Sequence, residues 1–171
     1  MRTILFFFAV LVFGLVSCNN ASSDRGIEIN GVRWATRNVE TPGRFASNPG
    51  SAGGHFTWEE AKNACPRGWR LPTNVELQSL RNAAGGEWTA VYGANGRTFG
   101  TAPHQIFLPA AGLYNRNNEI TGIGSRGMYW GGTQHERYEG YAISMWLDSG
   151  GRSWDWSCRQ SRYSVRCVAV N

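Results

Sequence analysis

The chain has 171 residues, which is enough for one domain but too short for two full-sized cores. Apolar residues make up 42% and charged residues 17%, so the composition is that of a folding chain, and the 22 glycines exclude a plain helical bundle. The formal net charge is +5, but every basic residue except Lys62 is Arg, the cation suited to planar pairing and ring stacking. This bias favours structural or recognition roles over general nucleic-acid binding.

The N-terminus has the pattern of an export signal. Arg2 precedes an unbroken apolar or glycine run over 4–16, which is shorter than the roughly 20 residues that a membrane-spanning helix needs. The run ends in Leu15-Val16-Ser17-Cys18, which resembles the lipobox of bacterial lipoproteins, where the Cys is diacylated and becomes the mature N-terminus. We predict a lipoprotein signal peptide over 1–17 and lipidation of Cys18. The alternative is an ordinary signal peptide with a chance Cys.

A lipid on Cys18 would anchor the protein to a membrane without spanning it. We interpret 18–26 as a lipidated polar tether and 27–171 as the folded domain. Asn19 is not the acidic residue that usually retains lipoproteins at the inner membrane, so we expect an outer-membrane anchor at the cell surface, with the periplasmic face as the alternative. This location argues against a nucleic-acid partner.

Local signals predict a β-hairpin followed by two short helices. Apolar alternation over 27–34 flanks Asn-Gly at 30–31, which is the strongest short hairpin signal. Two capping boxes follow, Thr57 with Glu60 and Thr73 with Glu76, and each predicts the start of a helix. Pro66 keeps the first helix short, and the glycine pair at 85–86 ends the second.

The rest of the chain carries strand signals. The segments 105–109, 128–130, 141–147 and 164–170 are apolar or alternating, and turn residues separate them. We therefore predict an α+β domain in which two short helices precede a mostly antiparallel, loop-rich β half.

Three cysteines remain beyond Cys18, and an exported protein is expected to form a disulfide from them. Cys65, Cys158 and Cys167 allow three single pairings. A bond between Cys65 and Cys167 would close a loop of about 100 residues, worth about 4.7 kcal/mol in the chain-entropy model. The sequence contains no C-x-x-C or H-x-x-x-H spacing that would indicate a metal site.

Several stretches, in order, resemble the Fibrobacter succinogenes major paralogous domain family. They are Gly31-Val32-Arg33-Trp34-Ala35-Thr36-Arg37-Asn38-Val39, Phe56-Thr57-Trp58-Glu59-Glu60-Ala61, Cys65-Pro66-Arg67-Gly68-Trp69-Arg70-Leu71-Pro72-Thr73, Phe107-Leu108-Pro109-Ala110-Ala111-Gly112, Tyr129-Trp130 and Ser164-Val165-Arg166-Cys167-Val168. The resemblance implies a C-type lectin-like fold with no established catalytic activity. It also implies a Cys65–Cys167 disulfide and ligand binding within about 126–163.

The segment 126–166 is rich in binding-type residues. It holds 8 of the 14 Tyr and Trp residues, interleaved with Arg, and these are the residue types that dominate binding hot spots. Tyr129, Trp130 and Trp146 are assigned to the core, whereas Trp154 and Trp156 alternate onto one side and are predicted to be exposed. The predicted ligand-binding residues are His135, Arg137, Tyr138, Arg152, Trp154, Trp156 and Arg159.

We therefore expect a lipid-anchored, non-catalytic, adhesin-like module that binds an extracellular glycan or protein, with no cofactor or metal. Genetic diversification of its binding face would fit this role. One alternative is a structural subunit of the cell envelope or of a pilus. A lesser alternative is a copper oxidase like the formylglycine-generating enzymes, which would need Cys158 and Cys167 as a free thiol pair.

Overall fold

Strands dominate the part of the chain that the structure, a computed structural model, describes: residues 23–115 and 117–170. The predicted signal peptide and Cys18 lie outside the described residues. The elements are β1 (Ile27–Ile29), β2 (Val32–Trp34), β3 (Val39–Thr41), β4 (Arg44–Phe45), α1 (Trp58–Ala61), β5 (Trp69–Arg70), α2 (Asn74–Arg81), β6 (Trp88–Val91), β7 (Ala94–Thr101), β8 (His104–Pro109), β9 (Ala111–Tyr114), β10 (Ile120–Ile123), β11 (Arg126–Gln134), β12 (Tyr141–Asp148), β13 (Arg152–Cys158) and β14 (Val168–Ala169). Neither described helix has the length and apolarity needed to cross a membrane.

Four sheets form this mixed α+β, mostly β architecture. The largest has five strands in the order β10-β9-β11-β12-β13, and the others have the orders β1-β2-β14-β5, β6-β7-β8 and β3-β4. Pairing is antiparallel except between β9 and β11, which run parallel. The predicted α+β class is confirmed at this level.

The five-stranded sheet packs a hydrophobic cluster on each face, because side chains alternate along its strands. Ile143 and Met145 of β12 join Leu77 of α2 in one cluster, and we call this side the α2 face. Ala142 and Trp130 belong to the other cluster, which contains the indole of α1, and we call this side the α1 face.

The local predictions at the start of the domain are confirmed. Strands β1 and β2 form the hairpin, with Ile27 opposite Trp34. Both capping boxes are present, because the Thr57 and Thr73 hydroxyls each accept a hydrogen bond from the third residue of the helix, whose Glu side chain accepts the threonine N–H in return.

Packing begins slightly before the predicted domain boundary at 27. The Asp24 carboxylate accepts hydrogen bonds of 2.9 Å from the Thr36 N–H, the Thr36 hydroxyl and the Gly26 N–H, and it pairs with Arg37 at 3.5 Å. The last part of the predicted tether, 24–26, is therefore attached to the domain.

The strand predicted over 164–170 is shorter, because its backbone bonds go to several segments instead of one neighbouring strand. The Val165 and Cys167 carbonyls accept from the N–H groups of Val39 and Ala35. Ser164 bridges to Tyr129, and only β14 pairs as a regular strand. The sequence analysis does not predict β6 or β7; in β7, Gly96 and Gly100 interrupt the apolar pattern.

A buried arginine lies at the junction of these segments. The Arg166 side chain is 1% exposed and donates hydrogen bonds to the Asn38 Oδ1 at 2.8 and 2.9 Å, the Ala35 carbonyl at 3.1 Å and the Phe107 carbonyl at 3.1 Å. Burial lowers the pKa of Arg166 to about 10, so the group stays cationic near neutral pH. No carboxylate accepts from it among the described residues.

The disulfide joins Cys65, just after α1, to Cys167, just before β14, with an S–S distance of 2.06 Å. This confirms the pairing that the family resemblance implied. Cys158 is a free, exposed thiol.

We predict that Arg166→Met lowers the free energy of unfolding by at least about 3 kcal/mol, because it leaves three buried acceptors without a donor. Chemical denaturation of the variant and of the control Arg67→Met, at an exposed position, measures the difference. A loss no larger than that of the control would contradict the structural role of Arg166.

We also predict that the double variant Cys65→Ser with Cys167→Ser loses about 4.7 kcal/mol of unfolding free energy through restored loop entropy. Denaturation of this variant and of Cys158→Ser tests the prediction, since the free thiol should change stability by less than about 0.5 kcal/mol. Equal losses in the two variants would show that the bridge has no special role.

Candidate binding surface

Two residues of the predicted site, His135 and Tyr138, meet a third, Trp156, at one end of the five-stranded sheet. The His135 ring centroid lies 4.8 Å from that of Tyr138 and 4.5 Å from that of Trp156. Tyr141 extends the group, with its centroid 6.4 Å from Tyr138. We call these four residues, His135, Tyr138, Tyr141 and Trp156, the aromatic cluster.

The loop between β11 and β12 holds the cluster in place through its own backbone. The His135 N–H donates to the Tyr141 carbonyl at 3.0 Å, which closes the loop, and the Tyr141 N–H donates to the Tyr138 carbonyl at 3.0 Å. The His135 Nδ1 accepts from the N–H groups of Arg137 and Tyr138 at 3.0 and 3.3 Å. An unprotonated Nδ1 is therefore part of this loop structure.

The tyrosines provide the open area of the cluster. Tyr138 is 62% exposed and Tyr141 is 45% exposed, whereas His135 and Trp156 are half-buried. Rings fixed by neighbouring rings lose little conformational entropy when a ligand packs on them. The cluster therefore offers a stiff apolar surface with hydroxyl groups at its edge.

The two indoles of β13 share one side, as their alternation predicts, but that side is the α2 face. Trp154 lies opposite Met145 and Trp156 opposite Ile143, and both indoles pack against the core and are half-buried instead of exposed. The sequence does not reveal that β13 completes a sheet covered by a helix. Trp154 therefore belongs to the core packing, and only Trp156 contacts a ring of the aromatic cluster, that of His135.

Arg152 lies away from the aromatic cluster, at the end of helix α2. Its guanidinium donates to the carbonyls of Arg81 at 2.8 Å, Ala83 at 3.1 Å and Gly86 at 3.2 Å. These groups include carbonyls that the helix end would otherwise leave without partners. Partial burial and the nearby Arg97 lower the pKa of Arg152. The geometry assigns this side chain to holding β13 against α2.

Arg159 borders the aromatic cluster from the α1 side. Its guanidinium lies 4.3 Å from the Trp58 ring centroid, forms an ion pair with Glu59 and donates to the Glu139 carbonyl at 2.7 Å. Arg159 thereby attaches the base of the β11–β12 loop to helix α1. It also lines an open groove of about 370 Å³, together with the free thiol of Cys158.

Among the three arginines of the predicted site, Arg137 is the one whose guanidinium is open to a ligand. It is exposed beside His135, and its guanidinium has no hydrogen bond or ion pair within the described ranges. Glu136 and Glu139 are exposed on the same loop. The rings are thus bordered by one unpaired cation and two carboxylates, groups that suit hydrogen bonds to hydroxyl, amide or charged partners.

The oxidase alternative has no thiol pair, because Cys167 is bonded to Cys65. In the described part of the chain, no three His, Cys, Asp or Glu side chains come together as metal ligands.

Sequence reasoning missed two surface aromatics. Tyr141 follows the core-facing alternation of β12 but lies at the strand end, where the core no longer covers it. Trp146 was assigned to the core, yet it is only partly buried and lines an open groove. The glycine pair at 150–151, close to Trp146 across the hairpin, was the available signal for an open position.

We predict that Arg152→Ala lowers the free energy of unfolding by about 1–2 kcal/mol, because it removes charged donors from three carbonyls. Arg137→Ala, which removes no internal bond, should stay within about 0.5 kcal/mol. Thermal and chemical denaturation of both variants measures the difference. If Arg152→Ala were as stable as Arg137→Ala, the structural role of Arg152 would be contradicted.

No family model, curated protein or solved structure matches the chain.

Proposed function

We propose that the protein is a lipid-anchored, extracytoplasmic binding module that captures a glycan or protein ligand on the aromatic cluster and Arg137. It has a C-type lectin-like fold and works without catalysis. Two helices ahead of a β-rich half, and a disulfide from the first helix region to the last strand region, support this fold. The sequence resemblance to the Fibrobacter succinogenes major paralogous domain family points in the same direction.

The exposed tyrosines of the aromatic cluster are the observation that carries the proposal. Tyr138 and Tyr141 keep about half or more of their surface in water although the same chain buries Tyr129 and Trp130 almost completely. Neighbouring exposed rings beside an unpaired Arg have the composition of an interaction hot spot. Internal packing does not account for them.

The anchor would hold this surface close to a membrane. Asp24, whose carboxylate is bonded to the domain, lies six positions after Cys18 in the sequence. A chain of that length spans at most about 20 Å. The module would therefore act near the membrane surface, on ligands that come to the cell.

We predict that Tyr138→Ala and Tyr141→Ala each weaken binding at least about 30-fold, the loss expected for a hot-spot residue. The mature chain is applied to glycan and protein arrays, and the dissociation constant of each hit is then measured for the two variants. Because both rings are exposed, melting temperatures should stay unchanged.

The matched control is Tyr92→Ala, an exposed tyrosine on the β6–β7 turn. Hits that survive all three substitutions equally would refute the aromatic cluster as the binding surface. A pull-down from membranes that yields a stoichiometric envelope or pilus protein, with no array hit, would favour the structural alternative.

A further inference from the structure

A second open groove lies on the α1 face of the five-stranded sheet, at the opposite end of β12 from Tyr141. Its volume is about 250 Å³, and Arg126, Met128, Trp146, Leu147 and Asp148 line it. We propose that this groove binds a single uncharged pyranose ring, either free or at the end of a glycan. The site is separate from the aromatic cluster.

Strand register brings four of these side chains onto one patch. Arg126 lies opposite Asp148, and Met128 lies opposite Trp146, one step further along the same face. Ser153 of β13 lies opposite Trp146 on its other side. Directly opposed residues in a sheet stand about 5 Å apart, and residues two apart along a strand about 7 Å, so an indole, a thioether, a cation and a carboxylate share one patch, with the Ser153 hydroxyl at its edge.

The two charged side chains in the groove do not form an ion pair with each other. Arg126 is exposed, and its guanidinium forms no ion pair or hydrogen bond within the described part of the chain, although Asp148 lies opposite. A Cβ at Gly122 would stand 2.8 Å from the Arg126 Cγ, so the absence of a side chain there leaves room for the arginine stem. The Asp148 Oδ1 accepts instead from the N–H groups of Gly150 and Gly151, at 2.8 and 2.9 Å.

The glycines of the β12–β13 turn also leave the indole uncovered. A Cβ at Gly151 would lie 3.8 Å from the Trp146 ring, in ordinary contact, so a larger residue there would begin to cover the ring edge. Trp146 thus remains partly open on a sheet face whose other indole, Trp130, is fully buried.

The chemistry of the groove selects the ligand class. One cation and one carboxylate give the lining no net charge, which favours a neutral molecule that both donates and accepts hydrogen bonds. The indole offers a flat surface to an apolar ring face. The volume lies below the roughly 300–1,000 Å³ of sites for drug-sized ligands. Backbone groups on a sheet face are paired within the sheet, so an extended peptide finds no main-chain partners there.

The test is a titration of the ¹⁵N-labelled mature chain with the methyl pyranosides of glucose, galactose, mannose and N-acetylglucosamine, followed by NMR. The Trp146 indole N–H signal, assigned from its loss in Trp146→Phe, should shift with at least one glycoside. Trp146→Ala should abolish binding at the concentrations used. Arg126→Gln and Asp148→Asn should each raise the dissociation constant about ten-fold or more, since each removes one charged hydrogen-bonding partner.

The matched control for Arg126→Gln is Arg67→Gln, at another exposed arginine whose guanidinium has no ion pair or hydrogen bond among the described residues. The proposal is overturned if no glycoside shifts the Trp146 signal, or if the two Arg variants bind the glycoside equally well. The two proposals are distinguished by applying Trp146→Ala to the arrays as well: a glycan hit that is lost in Trp146→Ala but kept in Tyr138→Ala belongs to the groove and does not count against the aromatic cluster.

Discussion

The structure depends on a buried cation, Arg166, whose hydrogen bonds within the described residues go to amide oxygens and not to a carboxylate. The Arg166 guanidinium donates hydrogen bonds to the Asn38 side chain and to the carbonyls of Ala35 and Phe107. Asn38 and Ala35 lie in the N-terminal segment, and Phe107 lies in β8. A guanidinium is the only side chain with enough donors, in a fixed plane, to serve all of these acceptors together. The adjacent Cys167 adds a covalent connection to the α1 region. Distant segments therefore meet at two neighbouring residues of the last segment.

Arginine has two roles in this protein, and only the tertiary structure separates them. Arg97 donates to the consecutive carbonyls of Asp148 and Ser149 where the β12–β13 turn begins, and Arg152 donates to the end of α2. These guanidinium groups replace hydrogen bonds that irregular backbone would lack. Arg126 and Arg137 have no such partner within the described ranges. A high arginine content in this protein therefore has two explanations: some guanidinium groups bind backbone carbonyls at turns and helix ends, and others are open to a ligand.

The alternation of β12 explains why two open surfaces arise on one sheet. The cores cover the middle of the strand on both faces and thin out toward its ends. At one end Tyr141 emerges beside the β11–β12 loop, and at the other end Trp146 emerges beside a glycine turn. The rigid centre fixes both positions, so each surface is preorganised by the same core.

Features whose signals are local can be predicted from the sequence. The Asn-Gly hairpin at 30–31 and the capping boxes at Thr57 and Thr73 form where predicted, because each needs only residues within one turn of the chain. The choice of Cys65 and Cys167 came from the family resemblance, since the spacing left three pairings open. The α+β class followed from these elements and from the strand-like runs that come after them.

The surroundings of the site residues, by contrast, depend on contacts between segments that are distant in sequence. Alternation placed Trp154 and Trp156 together, but only the position of β13 between β12 and helix α2 decided that their side is half-buried. Arg152 and Arg159 have the composition of a binding face, yet carbonyls far away in sequence occupy them. The burial and the hydrogen-bond partners of a side chain depend on residues that are distant in sequence, and a local sequence pattern does not identify those residues.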